Sequence, residues 1–242
     1  MKLVWLHART MTRELSRYPA YVVPTLLFPT AFFLFFVAPA PGPYATMKMA
    51  AFAGFAAIGV AFFQFGVGIA IERVSPWEAY LRTLPVGVAE RLGARVLSAT
   101  VFAAGAAFLV IVAALLVTDA TLDAAHWLQL ALALLVGTVP FAFLGIALGY
   151  WAPARGALPI ANLLYLTLAY AGGLWIRPSE LPDAVRRISP LLPTRALADL
   201  LGNVVYGNTF APRPWLALAA FSAVFALIAA AGYRRDEGKR YR

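Results

Sequence analysis

The chain has 242 residues, 62% of them hydrophobic and 13% charged, with a mean hydropathy of +0.77 and a formal net charge of +9. This composition excludes a soluble globular domain and points to a polytopic membrane protein, in which basic residues must be sorted by side of the bilayer before they indicate a partner. Cysteine is absent, which removes disulfides, thiol nucleophiles and thiolate metal sites from consideration.

In chain order, residues 1–20 read as an amphipathic interfacial helix. At about 100° per residue, Lys2, Arg9, Arg13 and Arg17 share one sector, and Val4, Ala8, Met11, Leu15 and Tyr18 share the opposite one. Such a helix serves either as a topology anchor or as an elbow gripping the bundle or an attached ATPase. Pro19 is expected to end it. Crossing a hydrocarbon core of roughly 30 Å takes about 20 helical residues. Six stretches reach that length: 21–40, 50–71, 96–117, 127–151, 157–176 and 215–233. They are apolar on every side, as in AAGAAFLVIVAALLV, where a β-barrel strand would alternate. The expected fold is therefore all-α: a single membrane domain, 1–242, with six transmembrane helices. The first apolar run follows a basic stretch and has no small-residue cleavage pattern, so it reads as a retained span.

Pro24 and Pro29 should bend the first span, and 41–47 should form a short outer turn. The second span carries Gly54, Gly59, Gly66 and Gly68 for close helix approach. It also carries Gln64, which suits either an interhelical hydrogen bond or a contact in a translocation path. A charged connection, 72–92, follows. Ser75 is a good N-cap, Pro76 fits the first helical position, and Glu78 completes a capping box, so a short helix is expected from Pro76 to about Thr83. Trp77, Tyr80, Leu81 and Leu84 form its packing face, which would rest on a partner or on the lipid interface. Arg95 lies one turn inside the third span and is expected to snorkel. The fourth span has Pro140 and the pair Gly145 and Gly149 at GxxxG spacing; the fifth has Asn162 and the pair Gly172 and Gly173. Between the last two spans, 177–214 holds two amphipathic helix signals, the second opening at cap Thr194, which suggests an interfacial or re-entrant hairpin.

Six spans put both termini on one side. That side holds Lys2, Arg9, Arg13, Arg17, Arg73, Arg82, Arg91, Arg95, Arg155, Arg234, Arg235, Lys239, Arg240 and Arg242, fourteen of the twenty basic residues, so both termini are expected in the cytoplasm, with the protein multi-pass in the plasma (inner) membrane. Lys48, Arg177, Arg186, Arg187, Arg195 and Arg213 fall on the outer side, where arginines can meet lipid phosphates. The basic charge is thus sorted by topology and membrane lipid, with no nucleic acid implied.

No G-x-x-x-x-G-K-S/T loop occurs, so an ATP phosphate cradle is not expected in this chain. His7 and His126 belong to opposite membrane faces and cannot share a metal. Ser98 and Ser222 have no nearby base, and the six spans contain no carboxylate, which disfavours hydrolase and proton-coupled readings. No cofactor or metal is expected in the chain itself.

With these elements in place, the chain resembles a permease subunit of type-2 class ATP-binding-cassette exporters. Two stretches carry the resemblance: IERVSPWEAYLRTLPVGVAERLGARVL, similar to the family's cytoplasmic connection, and LPDAVRRISPLLPTRALADLLGNVVYG, similar to its proline-rich outer segment. The resemblance implies a transporter of two permeases, in a homo- or heterodimer, with separate ATPase subunits that bind ATP and Mg. It also implies that the connection is a coupling helix docking in the ATPase, with that role falling on Glu72, Arg73, Pro76, Trp77, Glu78, Tyr80, Leu81 and Arg82. The function expected is the membrane-spanning part of an ATP-driven exporter for an amphipathic, drug-like or lipid-like substrate. The alternative is a non-transporting anchor or assembly protein recruiting a cytoplasmic partner.

Overall fold

A computed structural model describes residues 2–37, 43–76, 88–208 and 211–240, and every regular element among them is helical. Helix α1, Lys2–Ser16, buries Ala8 and lies against the start of the third apolar helix, where Val4 sits beside Gly93. Arg9 and Arg13 stay exposed on its other side. Pro19 does not terminate α1. The helix stops at Ser16, and Pro19 opens α2, Pro19–Val37, where a residue without an N–H and with a preset φ is best tolerated. Pro24 and Pro29 remain inside α2.

The second span begins earlier than its apolar run suggests. Helix α3, Pro43–Ala61, continues through a π-helical segment, Phe62–Val67, into α4, Gly68–Glu72. The described part of the expected outer turn is thus helical. Thr46 fixes it there, its hydroxyl donating to the Thr121 carbonyl at 3.2 Å and accepting from the Thr121 N–H at 3.1 Å. This long helix is the axis of the bundle: 78% of its most apolar window is buried, against 17% for the first and last spans. Its own Phe52, Phe55 and Phe62 pack with Phe33 and Phe141 of neighbouring helices in the core, and Tyr165 stacks on Phe55 at 4.5 Å while donating to the Phe55 carbonyl at 2.9 Å.

Helix α5, Val88–Val117, includes Arg91 and Arg95 in its first turns. Helices α6, Ala124–Gly137, and α7, Val139–Trp151, form one apolar stretch interrupted at Thr138, two residues before Pro140, which lacks the N–H that would continue the ladder. Helix α8, Ala157–Ala171, is shorter than the expected 157–176. Its end is set by Gly173, at φ +82°: the Leu174 N–H reaches the Ala169 carbonyl and the Gly173 N–H reaches Tyr170, the reciprocal pattern of a left-handed helix stop. The glycine pair therefore fixes a helix boundary.

The segment beyond is helical in short pieces: 3-10 turns at Pro178–Glu180 and Ser189–Leu191, α9 at Asp183–Ile188, and α10 at Pro193–Val205. Leu197, Leu200, Leu201 and Val204 are buried, giving α10 the apolar face its sequence pattern predicts. Thr194 is not its cap. Leu192 occupies the cap position with Pro193 at the first turn, and the Thr194 hydroxyl instead donates to the Leu168 carbonyl at 2.6 Å, tying α10 to the end of α8. Helix α11, Pro212–Arg240, packs along α7: the Trp151 Nε1–H donates to the Ile228 carbonyl at 3.1 Å, and Arg235 lies over the Trp151 ring.

The architecture is an all-helical polytopic membrane bundle. Among the described residues, five helices are long and apolar enough to cross a bilayer, at Pro19–Val37, Tyr44–Glu72, Glu90–Val117, Ala124–Trp151 and Pro212–Glu237; α8 is a sixth apolar helix of 15 residues.

Candidate functional site: the root of the charged connection

The connection leaves the bundle at Glu72, the last residue of α4, and Arg73 follows directly. Arg95 is only 8% exposed and does not snorkel. About two turns into α5 it faces the end of α4, where it pairs with the Glu72 carboxylate and donates through Nη1 to the Gln64 carbonyl at 2.8 Å. A buried guanidinium is tolerated only when its donors are satisfied, and the second span supplies both acceptors. The π-helical turn is part of the reason. Its wider winding disturbs the regular carbonyl-to-amide ladder around Gln64, and Gly68 leaves the space: a Cβ there would lie 2.9 Å from Arg95 Nη1. Burial is uneven, with the Glu72 side chain about half exposed, so the pair sits at the edge of the bundle.

Arg73 makes a second tie. It donates through Nη1 to Asp236 at 2.8 Å and through Nη2 to the Ala152 carbonyl at 2.8 Å. The connection's root is therefore bonded to α5 through Glu72, and to α11 and the α7–α8 turn through Arg73. Pro76 is the last described residue at the start of the connection, while Trp77, Glu78, Tyr80, Leu81 and Arg82, with the rest of the short helix expected from Pro76 to about Thr83, lie outside the described residues. Glu72 and Arg73, read in sequence as coupling residues, have their charges turned onto the protein's own helices.

Gln64 is 4% exposed and donates through Nε2 to the Tyr21 hydroxyl at 2.7 Å, linking the second span to the first. Tyr21 meets Phe102 edge to face at 5.2 Å, so the first three spans converge beside the Arg95 pocket. Asn162 is elsewhere. It is exposed on the outer face of α8 and is not brought near this cluster. Sequence reasoning missed Arg95 and Asp236. The signal for Arg95 was available, because an ionisable residue inside an apolar helix is paired as a rule. Asp236 lies 163 residues from Arg73, and no local pattern joins them.

Close backbone packing supports the same region. A Cβ on Gly145 would sit 2.9 Å from the Ala61 carbonyl oxygen, and one on Gly149 would sit 2.9 Å from that of Phe65. The GxxxG pair of α7 thus lies directly on the π segment. Among the described residues no group of three or more His, Cys, Asp or Glu side chains could hold a metal ion. Ion pairs and close helix contacts of this kind fix the position of one helix against the next.

Residues 42–231 match the sequence profile of the ABC-2 family transporter proteins. The chain is also 24% identical, over 231 residues, to a Bacillus subtilis (strain 168) protein whose name describes it as a transport permease, YvfS; the match covers 93% of this chain and 94% of the relative. A profile match across most of an all-helical, strongly apolar bundle settles the family, and the chain belongs to the ABC-2 family of transporters as a membrane permease.

Proposed function

We propose that this permease is the membrane-spanning half of an ATP-driven exporter, working with a second permease and with separate ATPase subunits that bind ATP and Mg. In this reading α8 and the turns after it complete a sixth crossing, both termini are cytoplasmic, and α1 lies along the inner membrane surface. The cargo is amphipathic, drug-like or lipid-like. Asn162, on the exposed face of α8, lies where a second permease would pack or cargo would pass.

One observation carries the reading: both residues at the root of the charged connection are bonded into the bundle, Glu72 to Arg95 and Arg73 to Asp236 and Ala152. A push on the short helix that starts at Pro76 would then reach the third, fourth and sixth apolar segments together, as rigid-body coupling requires. Trp77, Glu78, Tyr80, Leu81 and Arg82 are the residues assigned to the ATPase surface. Glu72 and Arg73 are assigned to the transmission behind it.

The test is ATP-dependent substrate movement in vesicles holding the permease and its ATPase. Glu78→Lys is expected to reduce ATPase association and transport while leaving membrane insertion intact. Glu72→Lys, which sets a second cation beside Arg95, is expected to keep association and lose transport. Normal transport in both variants would contradict the coupling role, and movement without ATP would contradict the exporter reading.

A further inference from the structure

About 36 Å along the second span from Glu72, at a helical rise of 1.5 Å per residue, the opposite end of the bundle holds a cavity of about 450 Å³. It lies between the start of α3, the turns after α8, the exposed side of α10 and the start of α11, and its walls are mostly apolar, with Met47, Ala51 and Leu174 among them. Three cations line it: Lys48, Arg177 and Arg213. Arg177 is held over the Tyr44 ring at 4.2 Å and paired with Glu180 at 2.9 Å. Lys48 and Arg213 have no carboxylate partner among the described residues. Asp199 is the acidic residue of the wall, and it is committed to Arg195 at 2.7 Å. The indole Nε1–H of Trp175, another wall residue, is buried without an acceptor among the described residues.

We propose that this cavity binds an amphiphile with an anionic, phosphate-bearing head. The charge balance asks for an anion, because two lining cations and a buried indole donor lack counterparts. The apolar walls ask for more than an anion: a bare phosphate would leave them wet, while a glycerol backbone or the upper part of an acyl chain would cover them. Depth fits as well, since the cavity opens at the end of the bundle near the headgroup region of a membrane-spanning chain. Gly173, held at φ +82° by the stop of α8, shapes one wall and brings the Trp175 to Arg177 turn against α10. The site is remote from the charged connection, goes beyond the export reading and does not depend on it.

The experiment uses the full chain in zwitterionic detergent, without ATP or ATPase. Dihexanoyl phosphatidylglycerol, dihexanoyl phosphatidylcholine and inorganic phosphate are titrated separately, and bound lipid is counted by native mass spectrometry. The anionic lipid is expected to bind about tenfold more tightly than the zwitterionic one, in keeping with two uncompensated cations near a surface. The double variant Lys48→Gln, Arg213→Gln is expected to lose that preference, and Lys48→Arg, Arg213→Lys to keep it. Equal binding of the two lipids would overturn the proposal, as would an unchanged preference in the glutamine variant. Displacement of phosphatidylglycerol by inorganic phosphate at matched concentration would also overturn it, by showing that the walls contribute nothing.

Discussion

Arg95 shows what a single charged residue contributes in an apolar helix. Its guanidinium holds the Gln64 carbonyl and the Glu72 carboxylate at once, and so fixes where the second span ends and the connection begins. Arg95→Met should therefore lower stability by about 1–3 kcal/mol, toward the lower end because Glu72 is half exposed and can be rehydrated. Thermal unfolding in detergent measures this, and Glu72→Gln, which keeps an acceptor, should lose less. Asp123 makes a second residue-scale case. It caps α6 by accepting the His126 backbone N–H at 3.0 Å, with the imidazole Nδ1 at 2.6 Å from the same oxygen; the backbone bond first, and the ring contact after it, hold the carboxyl below its ordinary value. A lowered folded-state pKa means the cap stabilises the protein above the usual carboxylate pKa, and the contribution is lost as pH falls through the lower folded value. A melting-temperature profile through the acid range should show that loss in the native chain and lack it in Asp123→Ala. Sequence exposed Arg95 as an oddity but not its partner, because Glu72 meets it only after the chain has left the bundle and returned.

At the scale of elements, the apolar runs disclosed the helices well and their ends poorly. Run length marks where lipid-compatible residues lie, but helix ends are set by local bonds: Thr46 extends α3 outward, Gly173 stops α8 early, and Pro19 and Pro193 open helices where the chain pattern suggested a stop and a threonine cap. The π segment had no sequence signature; it lies where Gly145 and Gly149 bring α7 closest to the second span and where Arg95 bonds the Gln64 carbonyl, contacts that no local pattern discloses. Those glycines give the third prediction. Gly149→Val places a branched side chain against the Phe65 carbonyl and the stiff, β-branched root of the Ile69 side chain, neither of which can yield cheaply. The separation of α7 from the π segment should cost about 1–3 kcal/mol, as overpacking does elsewhere. Thermal unfolding again reports it, with Gly105→Ala as the control, because a Cβ there meets ordinary contact at 3.7 Å.

For the whole molecule, the all-helical membrane bundle and the family were legible before any coordinates, because hydropathy and charge placement respond directly to the bilayer. The ties that would make the connection mechanically useful were not legible, since Arg73 to Asp236 and Glu72 to Arg95 join segments that are distant in sequence. The central claim is that a partner ATPase acts on the helix beginning at Pro76 and that the bundle feels it through those ties. The absence of native cysteine allows the most direct test, in which a photo-crosslinker is attached to a single cysteine at Glu78 and, in a separate variant, at Asp123. With the ATPase co-expressed, the probe at position 78 should crosslink to the ATPase and the probe at position 123 should not. No crosslink from position 78, or equal crosslinking from both positions, would contradict the account.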